Sequence, residues 1–293
     1  MRTALTLVAV LGLAATGVAV ALTQFGASPL INERCAASSN GTSWYLTPAQ
    51  ADNAATITGI SVRRGLPARA ATIGLATALQ ESKLVNLDHG DRDSVGLFQQ
   101  RPSQGWGEIE QLMDPVYAAN AFFDALVRVA GYETLPITDA AQRVQRSGFP
   151  LAYAQHETRA RAWASALTGH SSAAVTCDLK PSATAGTAAA VTARVERDFG
   201  SLPTSPGAAG AGDPDVGATL TIDAAPLGSG SAADNERLAW SVAQWSVAAA
   251  DTLSIDSVAT AGKVWSRATP TWTTADTPVP AGKVALQLAL PAQ

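Results

Sequence analysis

The stretch ALQESKLVNLDHGDRDSVGLFQQRP, residues 78–102, has the most varied chemistry in the chain. It holds one glutamate, three aspartates, a histidine and two adjacent glutamines, whereas charged residues make up only 15% of the 293-residue sequence. The residues from Pro67 onward place apolar side chains near helical spacing. The pattern therefore predicts a largely buried helix with Glu81 at or near its last turn, followed by an irregular acidic loop.

Glu81 is the acid whose surroundings most favour chemistry. It follows apolar residues on the predicted helix, and partial desolvation raises the pKa of a carboxyl group and makes it a usable general acid. The alternative is a structural role at the helix end, with Glu81 either solvated or paired with Lys83, Arg92 or Arg101.

The segment SVGLFQQRP supplies the context for this acid. Gly96 permits close backbone approach, Leu97 and Phe98 can anchor the segment in the core, and Gln99 offers amide donors and acceptors. Such a strip can form the floor of a groove that binds the acetamido and hydroxyl groups of a sugar. The alternative is an ordinary loop anchor.

The DHGDRD run, with His89 among Asp88, Asp91 and Asp93, also suggests a metal site. Zinc requires three or four ligands at defined positions, and the two other histidines lie far along the chain without motif spacing. A solvated acidic loop is the favoured interpretation, and we expect no metal or cofactor.

Helix signals continue through the middle of the chain. Thr47 is a predicted N-cap, with Pro48 at the first helical position and Gln50 completing a capping box. Further helices are predicted to begin at Asp114, Thr138 and His156. These signals predict a mostly α domain over residues 33–178.

The remaining sequence divides by composition. Residues 179–215 are rich in Ala, Ser, Gly and Pro, which is typical of a linker, with a possible helix at 190–199. Residues 216–293 combine alternating runs with one amphipathic helix, which predicts a small α/β (α+β) module. Its tryptophans could stack on sugars, but core packing is the favoured interpretation.

The N-terminal segment predicts export. Residues 1–32 begin with one arginine before a long uncharged, mostly apolar run, which suits either a cleaved signal peptide or a retained membrane anchor. Both alternatives make the rest of the protein extracytoplasmic. The net charge of −4 argues against a nucleic-acid partner.

The two cysteines, Cys35 and Cys177, bracket the predicted α domain. An even number of cysteines in an exported chain predicts a disulfide, which would join the two ends of this domain. Two unrelated buried thiols are the alternative.

The combination of Glu-Ser at a helix end with Ser-x-Gly-Leu-Phe-Gln after an irregular stretch resembles the lytic transglycosylase and lysozyme-like superfamily. The resemblance implies a lysozyme-like fold, with Glu81 as the catalytic acid/base and Ser82 as its companion. On this basis, the residues expected at the substrate are Ser82, Ser94, Gly96, Leu97, Phe98, Gln99, Gln100 and Tyr153.

Two details refine the resemblance. The GDR triplet is similar to that of goose-type lysozymes, which place an aspartate where this chain has Asp91. The sequence RPSQGWG…MDPVYAANAFF resembles that of actinobacterial members of the group. The Tyr-Asn-Ala-Gly strip of many transglycosylases is missing from the sequence. Tyr153 is its nearest substitute, with Gln142 and Gln145 as other polar candidates.

The resemblance implies cleavage of the β-1,4 bond between N-acetylmuramic acid (MurNAc) and N-acetylglucosamine (GlcNAc) in peptidoglycan. Hydrolysis would require a second carboxylate, for which Asp91 is the candidate, whereas lytic transglycosylation requires only Glu81. The alternative function is peptidoglycan binding without catalysis. The C-terminal module could contact cell-wall or membrane proteins.

Overall fold

In a computed structural model of the chain, the structure describes residues 33–206 and 217–290. The predicted signal peptide or membrane anchor, residues 1–32, lies outside the described residues. Within the two described ranges, no helix combines the length and apolar character needed to cross a membrane.

The described residues form eight α-helices and nine β-strands. The helices are α1 (Pro48–Arg63), α2 (Ala68–Ser82), α3 (Ile109–Leu112), α4 (Pro115–Leu126), α5 (Ile137–Gln145), α6 (Glu157–Leu167), α7 (Ala188–Phe199) and α8 (Ala232–Ala248). The strands are β1 (Arg34–Ser39), β2 (Thr42–Leu46), β3 (Val175–Asp178), β4 (Thr204–Pro206), β5 (Thr219–Asp223), β6 (Ile255–Thr260), β7 (Lys263–Ser266), β8 (Thr273–Thr274) and β9 (Lys283–Leu288).

The strands form two antiparallel sheets, so the fold is mixed α+β. The first sheet has the order β2-β1-β3, and the second has the order β4-β5-β9-β6-β7-β8. The first sheet was not predicted from the sequence. Its central strand β1 reads RCAASS, which lacks β-branched and aromatic residues and so gives no local strand signal.

The predicted helices of the middle segment are confirmed. Thr47 accepts a hydrogen bond from the Gln50 backbone N–H, and the Gln50 side chain accepts one from Thr47, which completes the capping box. Helix α5 departs from its prediction because Thr138 does not cap it. The Thr138 hydroxyl instead donates to the backbone oxygen of Pro150 at 2.8 Å.

The predicted disulfide between Cys35 and Cys177 is confirmed, and it links residues 142 positions apart. The two cysteines stand directly opposite each other in the antiparallel pair of β1 and β3. The bond therefore joins the two ends of the helical segment through a single sheet, and it is consistent with an extracellular protein.

The C-terminal residues pack directly on the helical segment, and the described residues, 33–206 and 217–290, belong to one compact unit. Gln244 of α8 donates to the backbone oxygen of Ala166 at 2.6 Å and accepts from the Ala174 backbone N–H at 2.8 Å. Packing is thus continuous across residue 178. Trp245 and Trp265 are buried in the core, as predicted.

A buried ionic cluster links α7 to α1 and α8. Helix α7 lies in the predicted linker at the position where a helix was anticipated. Its Arg194 is paired with Asp52 of α1 and with the fully buried Asp198, each at 2.9 Å. Asp198 also accepts a hydrogen bond from the Trp245 indole at 2.9 Å. Three separate parts of the chain therefore meet at the Arg194–Asp198 pair.

Candidate active site around Glu81

The end of helix α2 brings Glu81 to the surface, as the sequence predicts. The helix ends at Ser82, and the next two residues, Lys83 and Leu84, both have left-handed backbones with φ of 56° and 60°. The chain therefore turns sharply away from the helix axis immediately after Glu81. This turn leaves the Glu81 carboxyl partly exposed, while the preceding turn of the helix is buried.

The closest contact of Glu81 is with Tyr153. The Tyr153 hydroxyl donates to Oε1 of Glu81 at 2.6 Å, and the tyrosine is fully buried in the 3-10 turn over Ala152–His156. Tyr153 therefore does not lie against the surface as a sugar-binding ring. Its hydroxyl binds Oε1 of Glu81 and does not contact Oε2.

Burial sets the protonation behaviour of this pair. Burial raises the pKa of Glu81, and the hydrogen bonds from Tyr153 and Gln145 offset only part of that rise. Burial and the neighbouring carboxylate also raise the pKa of Tyr153, so the hydroxyl stays protonated and remains a donor. In the part of the chain that the structure describes, Glu81 forms no ion pair.

Ser82 connects the helix end to the Gly-Leu-Phe-Gln strip. Its hydroxyl lies 2.7 Å from the backbone oxygen of Leu97 and 3.1 Å from that of Ala78. Gln145 donates to the backbone oxygen of the next residue, Phe98, at 2.7 Å. Two side chains beside the acid therefore hold two successive carbonyl groups of the strip.

The strip itself is anchored in the core. Leu97 and Phe98 are fully buried, and the Phe98 ring stacks on Phe122 with 4.6 Å between ring centroids. Gly96 has a φ of +79°, and a Cβ atom there would lie 2.4 Å from the backbone oxygen of Leu112. Only glycine allows this close approach without displacing the neighbouring chain.

The two glutamines of the strip have different environments. Gln99 is partly exposed, and its amide nitrogen donates to the backbone oxygens of His89 (3.3 Å) and Gly96 (3.2 Å). Gln100 is buried, and its amide donates to the backbone oxygen of Ala118 at 3.2 Å. Gln99 thus closes the acidic loop, and Gln100 ties the strip to α4.

The residues expected at the substrate are therefore mostly inside the protein. The buried ones are Ser82, Ser94, Gly96, Leu97, Phe98, Gln100 and Tyr153. The structure brings them together around Glu81, but as the scaffold of the site. Of the expected set, only Gln99 has a side chain with intermediate exposure.

The three aspartates of the loop have separate surroundings. Asp93 pairs with Arg101 at 2.7 Å and accepts from the Ser103 backbone N–H at 2.8 Å, and these contacts hold its pKa well below its usual range. Asp88 pairs with His89 in solvent. Asp91 is exposed, and its carboxylate forms no hydrogen bond or ion pair with any residue the structure describes.

A polar cluster forms around Gln80, the residue that precedes Glu81, and it was not predicted from the sequence. Gln80 accepts hydrogen bonds from Gln155 at 3.0 Å and lies 3.0 Å from Nε2 of His156. Burial, followed by the charge of Arg159, lowers the pKa of His156, which favours the neutral ring. These side chains offer amide and imidazole groups beside the acid. Their positions depend on contacts more than 70 residues apart, which no local pattern indicates.

The comparisons and the metal-ligand geometry add no further assignment. No protein-family model matches the chain, and no curated protein matches it. Within residues 33–206 and 217–290, no group of three or more His, Cys, Asp or Glu side chains is placed to hold a metal ion. The residues described above place one partly buried carboxyl group, that of Glu81, beside polar neighbours.

Proposed function

We propose that the protein is an exported enzyme with a lysozyme-like fold that cleaves the MurNAc-β-1,4-GlcNAc bond of peptidoglycan. The observation that carries this proposal is the Glu81 carboxyl group, which is held by Tyr153 at 2.6 Å and has a pKa raised by burial. A carboxyl group in such surroundings remains protonated at higher pH than a solvated one. It can then donate its proton to a glycosidic oxygen.

Glu81 acts first as an acid. Its proton goes to the O4 atom of the GlcNAc leaving group, and the bond between that oxygen and C1 of MurNAc breaks. Tyr153 fixes the orientation of the carboxyl group because its hydroxyl occupies Oε1. The other oxygen, Oε2, is the one available to the substrate.

Lytic transglycosylation is favoured over hydrolysis for the second half of the reaction. Glycoside hydrolysis generally uses two carboxylates, but Asp93 is occupied by Arg101 and Ser103, and Asp88 by His89. Asp91 is exposed, and no residue in the described ranges forms a hydrogen bond or an ion pair with its carboxylate. The site thus provides one well-positioned acid.

In this reaction the C6 hydroxyl of MurNAc attacks C1 after participation of the N-acetyl group. The hydroxyl proton goes to the Glu81 carboxylate, which regenerates the acid, and the product is a 1,6-anhydro sugar. No water molecule is consumed. An attack within one sugar ring has a large effective concentration, so it does not require a positioned water.

Binding of glycan without cleavage is the second candidate function. The observation that favours it is the burial of Tyr153, because the nearest substitute for the missing Tyr-Asn-Ala-Gly strip then offers no surface to a sugar. Retention of the N-terminal segment as a membrane anchor, and contacts of residues 216–293 with wall or membrane proteins, are further parts of the proposal.

Release of soluble fragments from purified peptidoglycan separates the two functions. Residues 33–293 are compared with Glu81→Gln and with Glu196→Gln, which removes an exposed glutamate of α7. An enzyme releases fragments as wild type and as Glu196→Gln, and not as Glu81→Gln. Sedimentation of all three proteins with the wall and release by none would establish the binding function.

A further inference from the structure

A cavity of about 620 Å³ opens beside the candidate active site. Trp106 and Val129 contribute apolar surface, Gln145 contributes an amide, and three arginines from two parts of the chain contribute charge. The arginines are Arg128, Arg143 and Arg146. No acidic side chain is among the residues that line the cavity.

The three arginines are free to bind an external anion. All three are exposed, and none forms an ion pair with a residue in the described ranges. Within the described ranges, the one hydrogen bond that these three side chains form runs from Arg143 to the backbone oxygen of Ala130, at a long 3.5 Å. Three uncompensated guanidinium groups attract anions, and their planar forks match carboxylates.

Arg146 has a backbone conformation that favours glycine. Arg146 caps the C-terminus of α5 with a φ of 53°, in the left-handed region. Helices prefer glycine or asparagine at this position because a Cβ atom is disfavoured there. Residues that are held in such conformations cluster at binding sites.

The cavity and the candidate active site share one residue. Gln145 lines the cavity, donates to the backbone oxygen of Phe98 and offsets a small part of the rise that burial causes in the pKa of Glu81. The arginines therefore line a cavity that borders the candidate active site. The groups that a muramyl residue carries away from its sugar ring are a lactyl group and a peptide stem, and the stem ends in carboxylates.

We propose that this cavity binds the carboxylates of the peptide stems, so that the protein selects glycan strands that carry peptides. This inference rests on the proposed function because it assigns the substrate class of the same site. Two other sources of anions exist in the wall: the lactyl carboxylate of MurNAc without a peptide, and phosphate groups. The test therefore includes all three.

Calorimetric titration tests the proposal without relying on catalysis. The probe is the disaccharide GlcNAc-MurNAc with its tetrapeptide, which contains no MurNAc-GlcNAc bond to cleave. The same disaccharide without peptide and inorganic phosphate serve as the other ligands. The proteins are wild type, the double variant Arg128→Ala/Arg143→Ala, Arg146→Gly, and Arg34→Ala as a control from β1, outside the cavity.

The proposal predicts that wild type and Arg34→Ala bind the peptide-bearing disaccharide about tenfold or more tightly than the peptide-free one. The double variant and Arg146→Gly lose this preference. Arg146→Gly keeps or raises the thermal midpoint, because glycine suits the left-handed backbone, so its loss of binding is not unfolding.

Equal binding of both disaccharides by wild type, or an unchanged preference in the double variant, would overturn the proposal. It would also be overturned if phosphate were the only ligand whose binding depends on the arginines. The fragment-release experiment separates the two proposals. If wild type releases no fragments, the enzymatic function fails, while the binding preference is still measured directly by titration.

Discussion

The hydroxyl of Tyr153 donates to the Glu81 carboxylate at 2.6 Å across 72 residues of sequence. This contact joins the end of α2 to the 3-10 turn before α6, and it sets the orientation of the acid. It also opposes the effect of burial, which raises the pKa of Glu81. The function proposed for Glu81 therefore depends on a buried tyrosine that does not reach the solvent.

Tyr153→Phe removes this donor, and the pKa of Glu81 is expected to rise further because burial then acts with less opposition. A general acid is active when protonated, so the alkaline limb of the pH–rate profile should shift to higher pH. The maximal rate should fall roughly tenfold as the carboxyl loses its fixed orientation. Tyr132→Phe, at another buried tyrosine, should leave the profile unchanged. An unshifted alkaline limb in Tyr153→Phe would contradict the role given to this contact.

Glu81→Gln should be at least as stable as wild type at neutral pH. The pKa of Glu81 is raised in the folded protein above its ordinary value of 4.5, so its contribution to stability is fully present below that value and is lost as pH rises through the folded pKa. The free energy of unfolding, measured by urea titration across this pH range, should therefore decline less in Glu81→Gln. A steeper decline in the variant would show that the folded pKa is lowered.

Gly96→Ala should disrupt the site, whereas Gly105→Ala should be tolerated. Both glycines have a left-handed φ, +79° and +78°, so both substitutions pay the same backbone cost, about 1–2 kcal/mol. A Cβ atom at residue 96 would also lie 2.4 Å from the backbone oxygen of Leu112. A Cβ atom at residue 105 would have no neighbouring atom within 4 Å. Urea denaturation of the two variants isolates the cost of that clash. Equal losses of unfolding free energy in the two variants would show that the strip moves to accommodate the Cβ atom at no extra cost.

Arg194→Ala should destabilise the protein by about 3–5 kcal/mol, since it leaves the fully buried Asp198 without its buried cationic partner. Arg197→Ala is the matched comparison because Arg197 pairs with the same carboxylate at 2.8 Å but is 40% exposed. Arg197→Ala should lower the free energy of unfolding by clearly less than Arg194→Ala. Equilibrium unfolding of the two variants tests the difference. A similar loss of unfolding free energy in both would mean that the buried ion pair stabilises the protein no more than the exposed one.

Reduction of the disulfide should lower the free energy of unfolding by roughly 5 kcal/mol in the chain-entropy model, because the bond closes a loop of 142 residues. The chain has only two cysteines, so a reductant acts on this bond alone. Unfolding of wild type with and without reductant, beside Cys35→Ser/Cys177→Ser, measures the effect. A double variant as stable as the oxidised protein would contradict it.

Local signals predicted much of the helical framework. The capping box at Thr47 and the spacing before Glu81 depend on residues a few positions apart, so the sequence alone indicates where α1 begins and where α2 carries the acid. Strand β1 could not be predicted in this way. Its residues are small and polar, and it forms because Leu46 and Cys177 pair with the same residue, Cys35, from opposite sides.

The site was predicted in composition but not in orientation. The motif residues do gather around Glu81, yet Ser82 and Phe98 face inward, because their side chains hold the helix end and the core. Gln80 and His156 were not anticipated as neighbours of the acid, since they meet only after the chain folds back 76 residues later. Spacing along a chain carries no information on such contacts.

Mass spectrometry of the fragments released from peptidoglycan by residues 33–293 tests the central claim most directly. Lytic transglycosylation by Glu81 predicts anhydro-muropeptides, which are one water lighter than hydrolysis products and are missing from the Glu81→Gln digest. Reducing-end products in their place would identify a hydrolase and would give Asp91 the role of the second carboxylate. Identical fragments from wild type and Glu81→Gln would contradict the assignment of Glu81 as the catalytic acid.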